Sequence, residues 1–291
     1  MEAEAVDEER QPEFDDVFLL DAGCRYVGGQ WVRRPLRVVK ETPLTIFVNR
    51  QELVTLLCTP NKLTQLVVGF LHLEGLISAP DDIAYLRVCS EEPVADVRLT
   101  NESVQLPTRR VLTSGCGGGV GLMIGLKDIA GVDSAARLTA EQVIRLAELM
   151  RDSARLYPVS GGVHTSILTD GQRVLAVAED VGRHNTVDKL DGECLQKGMS
   201  TEGCFIWTTG RISSEMLIKA ARMRVPVVLS RTSPTHRAIV LAQELGITVV
   251  GYVRGGSFSV YTHEYRIEGA STLDIHRVGS EQVEGSDKCE A

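Results

Sequence analysis

From Thr139 to Tyr261 short β-branched runs alternate with segments of helical pattern, and this alternation restricts the fold more than any other feature of the chain. Strands are predicted at Thr165–Leu168, Val174–Ala178, Phe205–Thr208, Val227–Ser230, Ile247–Val253 and Phe258–Tyr261. Helices are expected near Thr186–Lys197, Ser214–Met223 and Pro234–Leu245, the last closed by Gly246. Thr139-Ala-Glu-Gln142 has the spacing of a capping box, and it opens a helix whose Val143, Ile144, Leu146, Ala147 and Met150 form one apolar face. Such alternation predicts an α/β domain with a mostly parallel sheet covered by helices.

The first half reads differently. Short runs at Pro43–Asn49, Tyr85–Val88 and Ala95–Leu99, with one helix near Asn61–Glu74, predict a smaller α+β domain. Between the halves, Gly115, Gly117, Gly118, Gly119, Gly121 and Gly125 mark a loop or connection. The division expected is a disordered acidic tail over 1–16, a small α+β domain over 17–111 and a glycine-rich loop and connection over 112–131. An α/β ligand-binding domain over 132–269 and a flexible tail over 270–291 complete it.

Charge and apolar patterning exclude several classes. A net charge of −8 argues against a nonspecific nucleic-acid binder. No apolar run reaches the ~20 residues a membrane-spanning helix needs; the best candidate, Leu63 to Ile77, is broken by Gln65, Gly69, His72 and Glu74. Residues 1–16 hold eight acids and one arginine, the opposite of a secretory signal, so a cytoplasmic protein is expected. The seven cysteines follow no framework spacing, and most are expected to be small core hydrophobes in a reducing compartment.

The loops after the predicted strands carry the chemistry. Open α/β sheets bind ligands at the carboxyl ends of their strands. Here those loops read Asp180-Val-Gly-Arg-His-Asn185, Thr209-Gly-Arg-Ile-Ser-Ser214, Ser230-Arg-Thr-Ser-Pro-Thr235 and Tyr252-Val-Arg-Gly-Gly-Ser257, each with an arginine. Arg183, Arg211, Arg231 and Arg254 near helix N-termini suit an anionic, nucleotide-like ligand, although each could instead pair with a neighbouring acid. His184 is expected to be neutral at the start of a helix, where the dipole disfavours imidazolium. Asp180 is a candidate to anchor a guanine edge or to hold Arg183, and Asp188 and Lys189 read as solvated or paired side chains. Cys116, between Gly115 and Gly117, has no bulky neighbours to block a large partner, and Arg109 and Arg110 could favour its thiolate.

Sharper motifs fail. No glycines fall in a dinucleotide fingerprint or a P-loop. There is no C-x-x-C, and His164-Thr-Ser lacks the glutamate of the deaminase zinc motif, so no metal site is predicted.

From about Glu41 to Tyr261 the chain resembles the FdhD-type formate dehydrogenase accessory sulfurtransferases. The matching segments are Glu41-Thr-Pro-Leu44, Thr59-Pro60, Gly69-Phe-Leu71, Glu74-Gly75, Gly161-Gly-Val-His164, Glu179-Asp-Val-Gly-Arg-His-Asn185, Gly210-Arg-Ile-Ser-Ser-Glu-Met216 and Gly251-Tyr-Val-Arg254. The resemblance implies a sulfur carrier that takes sulfur from a cysteine desulfurase as a persulfide on Cys116. It then passes that sulfur to the molybdenum of bis(molybdopterin guanine dinucleotide) before the cofactor enters formate dehydrogenase. It also implies a homodimer and a C-terminal domain of cytidine-deaminase-like topology without zinc. Arg183, His184, Asn185, Arg211, Ser213 and Arg231, with Tyr252, Val253, Arg254, Gly255, Gly256 and Ser257, become the expected cofactor-binding residues.

One departure narrows the mechanism. Family members commonly carry a second cysteine three residues after the first, and here that position is Gly119. A persulfide needs one sulfur-bearing side chain, so a one-cysteine carrier remains the expectation. The alternatives are a chaperone that binds the cofactor without moving sulfur, and a deaminase-fold nucleotide enzyme.

Overall fold

The computed structural model describes residues 16–89, 93–104, 106, 111–112, 120–121 and 129–270. Residues 1–15 of the expected tail over 1–16 and residues 271–291 of that over 270–291 lie outside the described residues, as do the segment 113–119 with Cys116 and Gly119, Arg109 and Arg110.

The described chain begins with a long antiparallel hairpin, β1 (Val17–Val27) and β2 (Gln30–Val39). Gly28 and Gly29 turn it with φ of 58° and 87°, the positive values that a two-residue hairpin turn of matching twist requires. The sequence reading missed both strands. A strand announces itself by alternation when one face is buried, and here Phe18, Tyr26, Trp31, Val32 and Val38 are all exposed, so no alternation is imposed.

A four-stranded sheet follows, built from β3 (Thr42–Val48), β4 (Gln51–Cys58), β5 (Ile83–Cys89) and β6 (Val94–Leu99) in the order β4-β3-β6-β5. β4 was also missed. The register shifts opposite Ile46 and Phe47, which puts consecutive Leu53 and Val54 both inside. Helix α1 (Leu63–Leu73) covers this sheet, with Leu66, Val67, Phe70 and Leu71 in a core with Leu44, Ile46, Ala95 and Val97. Two short antiparallel strands, β7 (Val111–Leu112) and β8 (Val120–Gly121), flank the undescribed segment 113–119.

The second sheet begins after α2 (Ala140–Ser153), whose capping box is formed as predicted: Thr139 Oγ1 accepts from Gln142 N at 3.2 Å, and Gln142 Oε1 accepts from Thr139 N at 2.8 Å. The short α3 (Tyr157–Ser160) leads into β9 (His164–Thr169), β10 (Val174–Asp180) and α4 (Arg183–Gln196). Then come β11 (Phe205–Thr208), α5 (Ser214–Arg222), β12 (Val227–Ser230), α6 (His236–Leu245), β13 (Thr248–Arg254) and β14 (Ser257–Val260). The strand order is β10-β9-β11-β12-β13-β14. The expectation of a mostly parallel sheet is corrected here. Only β11–β12 and β12–β13 pair in parallel, because β9 and β10 form a hairpin, β9 runs antiparallel to β11, and β14 folds straight back on β13. Two helices, α5 and α6, serve as the crossovers of the parallel part.

The two sheets are joined where α1 crosses α4, and glycines set the distance. A Cβ at Gly69 would stand 1.8 Å from the Asp188 carbonyl oxygen, and one at Gly192 would stand 2.0 Å from that of Gln65. Around this contact lies a layer of buried charge. Asp180 Oδ2 accepts from Lys189 Nζ at 2.6 Å and from Thr59 N at 3.0 Å, and Lys189 Nζ also reaches Thr59 O and Asn61 Oδ1. Asp188 and Lys189 are therefore paired inside the protein rather than solvated. His72 Nδ1 meets Asp191 Oδ2 at 2.7 Å.

Lys219 bonds Asp188, with Glu74 Oε1 at 3.8 Å from the same ammonium. One cation thus faces two buried carboxyls. Burial raises the Glu74 carboxyl to about 7, against the pull of Lys219, and raises Asp188 to about 6.

Gly69→Ala is expected to lower unfolding stability by about 3 kcal/mol, since α1 and α4 cannot both keep their places; denaturant unfolding measures it. Gly131→Ala, whose added Cβ has its nearest neighbour at an ordinary 3.7 Å, serves as the control. Folded Glu74 keeps its proton where the unfolded chain has lost it. Its contribution is therefore complete below its ordinary value of 4.5 and disappears as pH rises through about 7. The melting temperature of Glu74→Gln relative to the parent should climb across that interval, and a flat difference would exclude a titrating Glu74.

Candidate functional site

The parallel strands β11, β12 and β13 end along one edge of the sheet, and α2 lies across the opening. Between them is a cavity of about 540 Å³. Ile144, Ala147 and Met150 from α2, Trp207 from β11 and Val253 from β13 supply apolar surface. The exposed side chains of Arg151, Arg231 and Arg254 stand in the same lining, with Glu148, Tyr157 and the Gly255–Ser257 turn. An apolar recess with several cations suits a planar heterocycle that carries phosphate. Its volume falls within the ~300–1,000 Å³ of small-molecule pockets, enough for one nucleotide-sized group.

The turn that carries Arg254 is backbone-built. Gly255 and Gly256 adopt φ of 59° and 77°, and a side chain at either would be strained. Tyr252 also sits in the left-handed region, at φ 55°, where the register of β13 against β14 shifts, and its N–H is held by Thr232 O at 3.0 Å. This irregularity puts the Arg254 guanidinium over the Tyr252 ring at 5.2 Å. Tyr252 thus supports Arg254 and does not line the cavity itself.

On the other side, Glu179 at the end of β10 holds the entry to α3. Its carboxylate accepts from the backbone N–H groups of Arg155, Leu156 and Tyr157 at 2.8, 2.8 and 3.0 Å, and from Thr165 Oγ1 at 3.1 Å. Tyr157 and Pro158 are thereby fixed as a wall of the cavity.

The remaining predicted residues form a second group beside the first. His184 Nε2 lies 3.0 Å from Ser213 Oγ, and its Nδ1 lies 3.5 Å from Glu215 Oε2. Ser213 Oγ also caps α5 by accepting from Met216 N. His184 is neutral as expected, but burial is the main reason: it depresses the imidazole to about 2, with Lys219 and Arg183 adding to it. Arg183 is buried against Gly210, where a Cβ would come within 2.8 Å of the arginine's own. Arg211 is exposed on the following loop. Thr209 lines the cavity, and its Oγ1 is 3.4 Å from His164 Nδ1.

The structure therefore gathers Arg231, Val253, Arg254, Gly255, Gly256 and Ser257 at the cavity and leaves Arg183, His184, Arg211 and Ser213 off its lining. Asn185 belongs to neither group. Its side-chain amide donates to Asp180 Oδ1 and Leu57 O, each at 2.8 Å, which makes it part of the join between the sheets. The Asp180 carboxylate takes part in the same join, accepting from Asn185, Thr59 and Lys189. Sequence reading missed Arg151, Tyr157, Thr165, Trp207 and Thr209. Arg151 sits one position after the apolar Met150 on α2, so its helix was legible, but the cavity it faces was not.

Of the described cysteines, Cys58, Cys194 and Cys204 are buried, and burial pushes their thiols up, to about 12 for Cys58 and Cys194. They fit the expected role of small core hydrophobes. Cys24 is exposed and Cys89 half-buried. Among the described residues, no three His, Cys, Asp or Glu side chains converge as a metal site, and no helix is long and apolar enough to cross a membrane.

The FdhD/NarQ family model matches residues 39–268. The sulfur carrier protein FdhD of Bacillus subtilis is 39% identical over 248 residues, covering 84% of this chain and 95% of its own. That of Staphylococcus aureus strain MRSA252 is 36% identical over 257 residues, covering 87% of this chain and 97% of its own. Among solved structures, a chain described as a formate dehydrogenase accessory protein from Desulfotalea psychrophila matches with a TM-score of 0.71 at 26% identity. That match covers 86% of this chain and 99% of the other. The model match takes in both sheets and the strand-end cavity, and the chain belongs to the FdhD/NarQ family.

Proposed function

We propose that this chain is a cytoplasmic sulfur carrier that serves formate dehydrogenase. Its relatives bear the name of sulfur carrier proteins, and the observation in this chain that supports the reading is the cavity with an apolar floor and Arg151, Arg231 and Arg254 around it. In this reading the substrate is bis(molybdopterin guanine dinucleotide), and the cavity takes one guanine nucleotide end. Arg231 and Arg254 meet the phosphates, the Gly255–Gly256 turn lets backbone approach them closely, and the recess takes the base. The two pterins extend beyond, since the cavity has room for one nucleotide.

Sulfur enters at Cys116. Its thiolate attacks the outer sulfur of a cysteine desulfurase persulfide, so that a new S–S bond forms as the donor's breaks and the donor cysteine leaves as thiolate. In onward delivery the S–S bond on Cys116 breaks as the terminal sulfur passes to the substrate's molybdenum, the two electrons that take it to the sulfide level come from the reduced substrate metal or an external thiol reductant, and Cys116 is released as thiolate. Burial raises the thiols of Cys58, Cys194 and Cys204, which supports a one-cysteine carrier over a relay through those positions. The C-terminal sheet order, with β9 antiparallel and β11, β12 and β13 parallel, supports the cytidine-deaminase-like topology, and the reading includes a homodimer.

Incubation with a cysteine desulfurase and cysteine should add about 32 Da, one sulfur atom, to the Cys116 peptide. An unchanged adduct on Cys116→Ala protein would sink the carrier mechanism, and restored formate dehydrogenase activity with Cys116→Ser would favour a cofactor chaperone instead. Arg254→Ala is expected to weaken GDP binding about tenfold by calorimetry through loss of charge-assisted hydrogen bonds, whereas Arg211→Ala, off the cavity lining, should leave it within about twofold.

A further inference from the structure

We infer that the β1–β2 hairpin is a docking arm for an anionic lipid surface, its tip entering the headgroup interface. Residues 24–35 are exposed without exception, so the arm stands clear of the rest of the molecule. Two strands with water on both faces are marginal by themselves, and a surface that covers them stabilises the arm. At the tip Trp31 is 74% exposed, with Tyr26, Val27 and Val32 exposed around it.

The register decides what kind of surface fits. Tyr26 pairs with Trp31, their rings 5.3 Å apart, and Cys24 pairs with Arg33, which puts all of these on one face. Arg25 pairs with Val32 and Gly23 with Arg34, and these share the other face with Val27. Each face thus carries large apolar side chains at the tip and arginine behind them. A protein groove takes one face of a hairpin and leaves the other in water, whereas a lipid interface covers the tip all round. Trp and Tyr favour the headgroup level, and arginines just behind them reach the phosphates with their charged ends. From the Gly28–Gly29 turn to the Arg25–Val32 pair is about 10 Å, the depth to which interfacial segments bury.

The local charge agrees. From Cys24 to Pro35 the sequence has three arginines and no acid, on a chain of net charge −8. The acidic remainder repels an anionic surface, but at physiological salt its field falls off over about 8 Å. The ten residues of β2 put about 33 Å between tip and root, which takes the tip beyond that field. At the root, Val39 packs against Gly162 beside α3, whose Tyr157 and Pro158 wall the cavity. A docked arm therefore holds this wall within about 35 Å of the lipid.

The full chain should sediment with vesicles of equal parts phosphatidylcholine and phosphatidylglycerol and stay in solution with phosphatidylcholine alone. Trp31 emission should shift to the blue on the mixed vesicles, while Trp207, 1% exposed, is already out of water and keeps its own emission. Arg33→Gln combined with Arg34→Gln should weaken binding about thirtyfold, from about fivefold for each cation lost. Trp31→Ala should weaken it about tenfold at unchanged charge. No sedimentation with the mixed vesicles, or binding that either variant leaves unchanged, overturns the inference. A blue shift that grows with protein concentration in the absence of lipid sets the arm against a second copy and overturns it as well. Should a variant lose the hairpin, the sedimentation and emission of the parent decide alone.

Discussion

The carboxylate of Asp180 is the group on which the rest of the arrangement depends. It accepts from Thr59 N and Lys189 on one oxygen and from Gly182 N and Asn185 on the other, all within a region closed to water. Burying an ion pair is weak evidence of net stability, but opening one costs about 3–5 kcal/mol because the surviving charge has no water. The consequence here is geometric. The end of β10, the start of α4 and the segment after β4 are held to one another, and Gly69 against Gly192 lets α1 close on α4. A slip in this join would carry His184 and Ser213 with it.

The same physics separates the functional half of the molecule into two environments. Around α4 and α5, desolvation governs: His184 stays neutral, and Glu74 and Asp188 resist ionisation. At the cavity, Arg151, Arg231 and Arg254 remain exposed together, so positive charge is clustered there although the chain carries a net charge of −8. Local charge, rather than overall charge, is what an anionic ligand meets there.

The parts of the fold that were legible in the sequence are those whose burial imposes a period. β11 and β12 were placed to the residue, and the capping box of α2 and the Gly246 end of α6 were read directly, since each rests on contacts within a few residues. The β1–β2 hairpin and β4 were not, one having no buried face and the other a bulge. Strand direction was misjudged for a related reason: alternation of strands and helices does not reveal that β9 and β10 form a hairpin, or that β14 returns without a helix.

The sequence by itself determined the strand-end loops, the arginines in them and the family to which the chain belongs, because motif spacing is a local property. Only the tertiary structure divided those loops into roles. Asp180 and Asn185 read as ligand groups in the sequence, and their hydrogen bonds to Thr59 and Leu57, more than a hundred residues away, were not legible there. Arg151, Trp207 and Tyr157 carried no signal for the converse reason. A cavity is made by elements that meet in space, and α2, β11 and β13 meet at this one only after the chain has closed around Asp180.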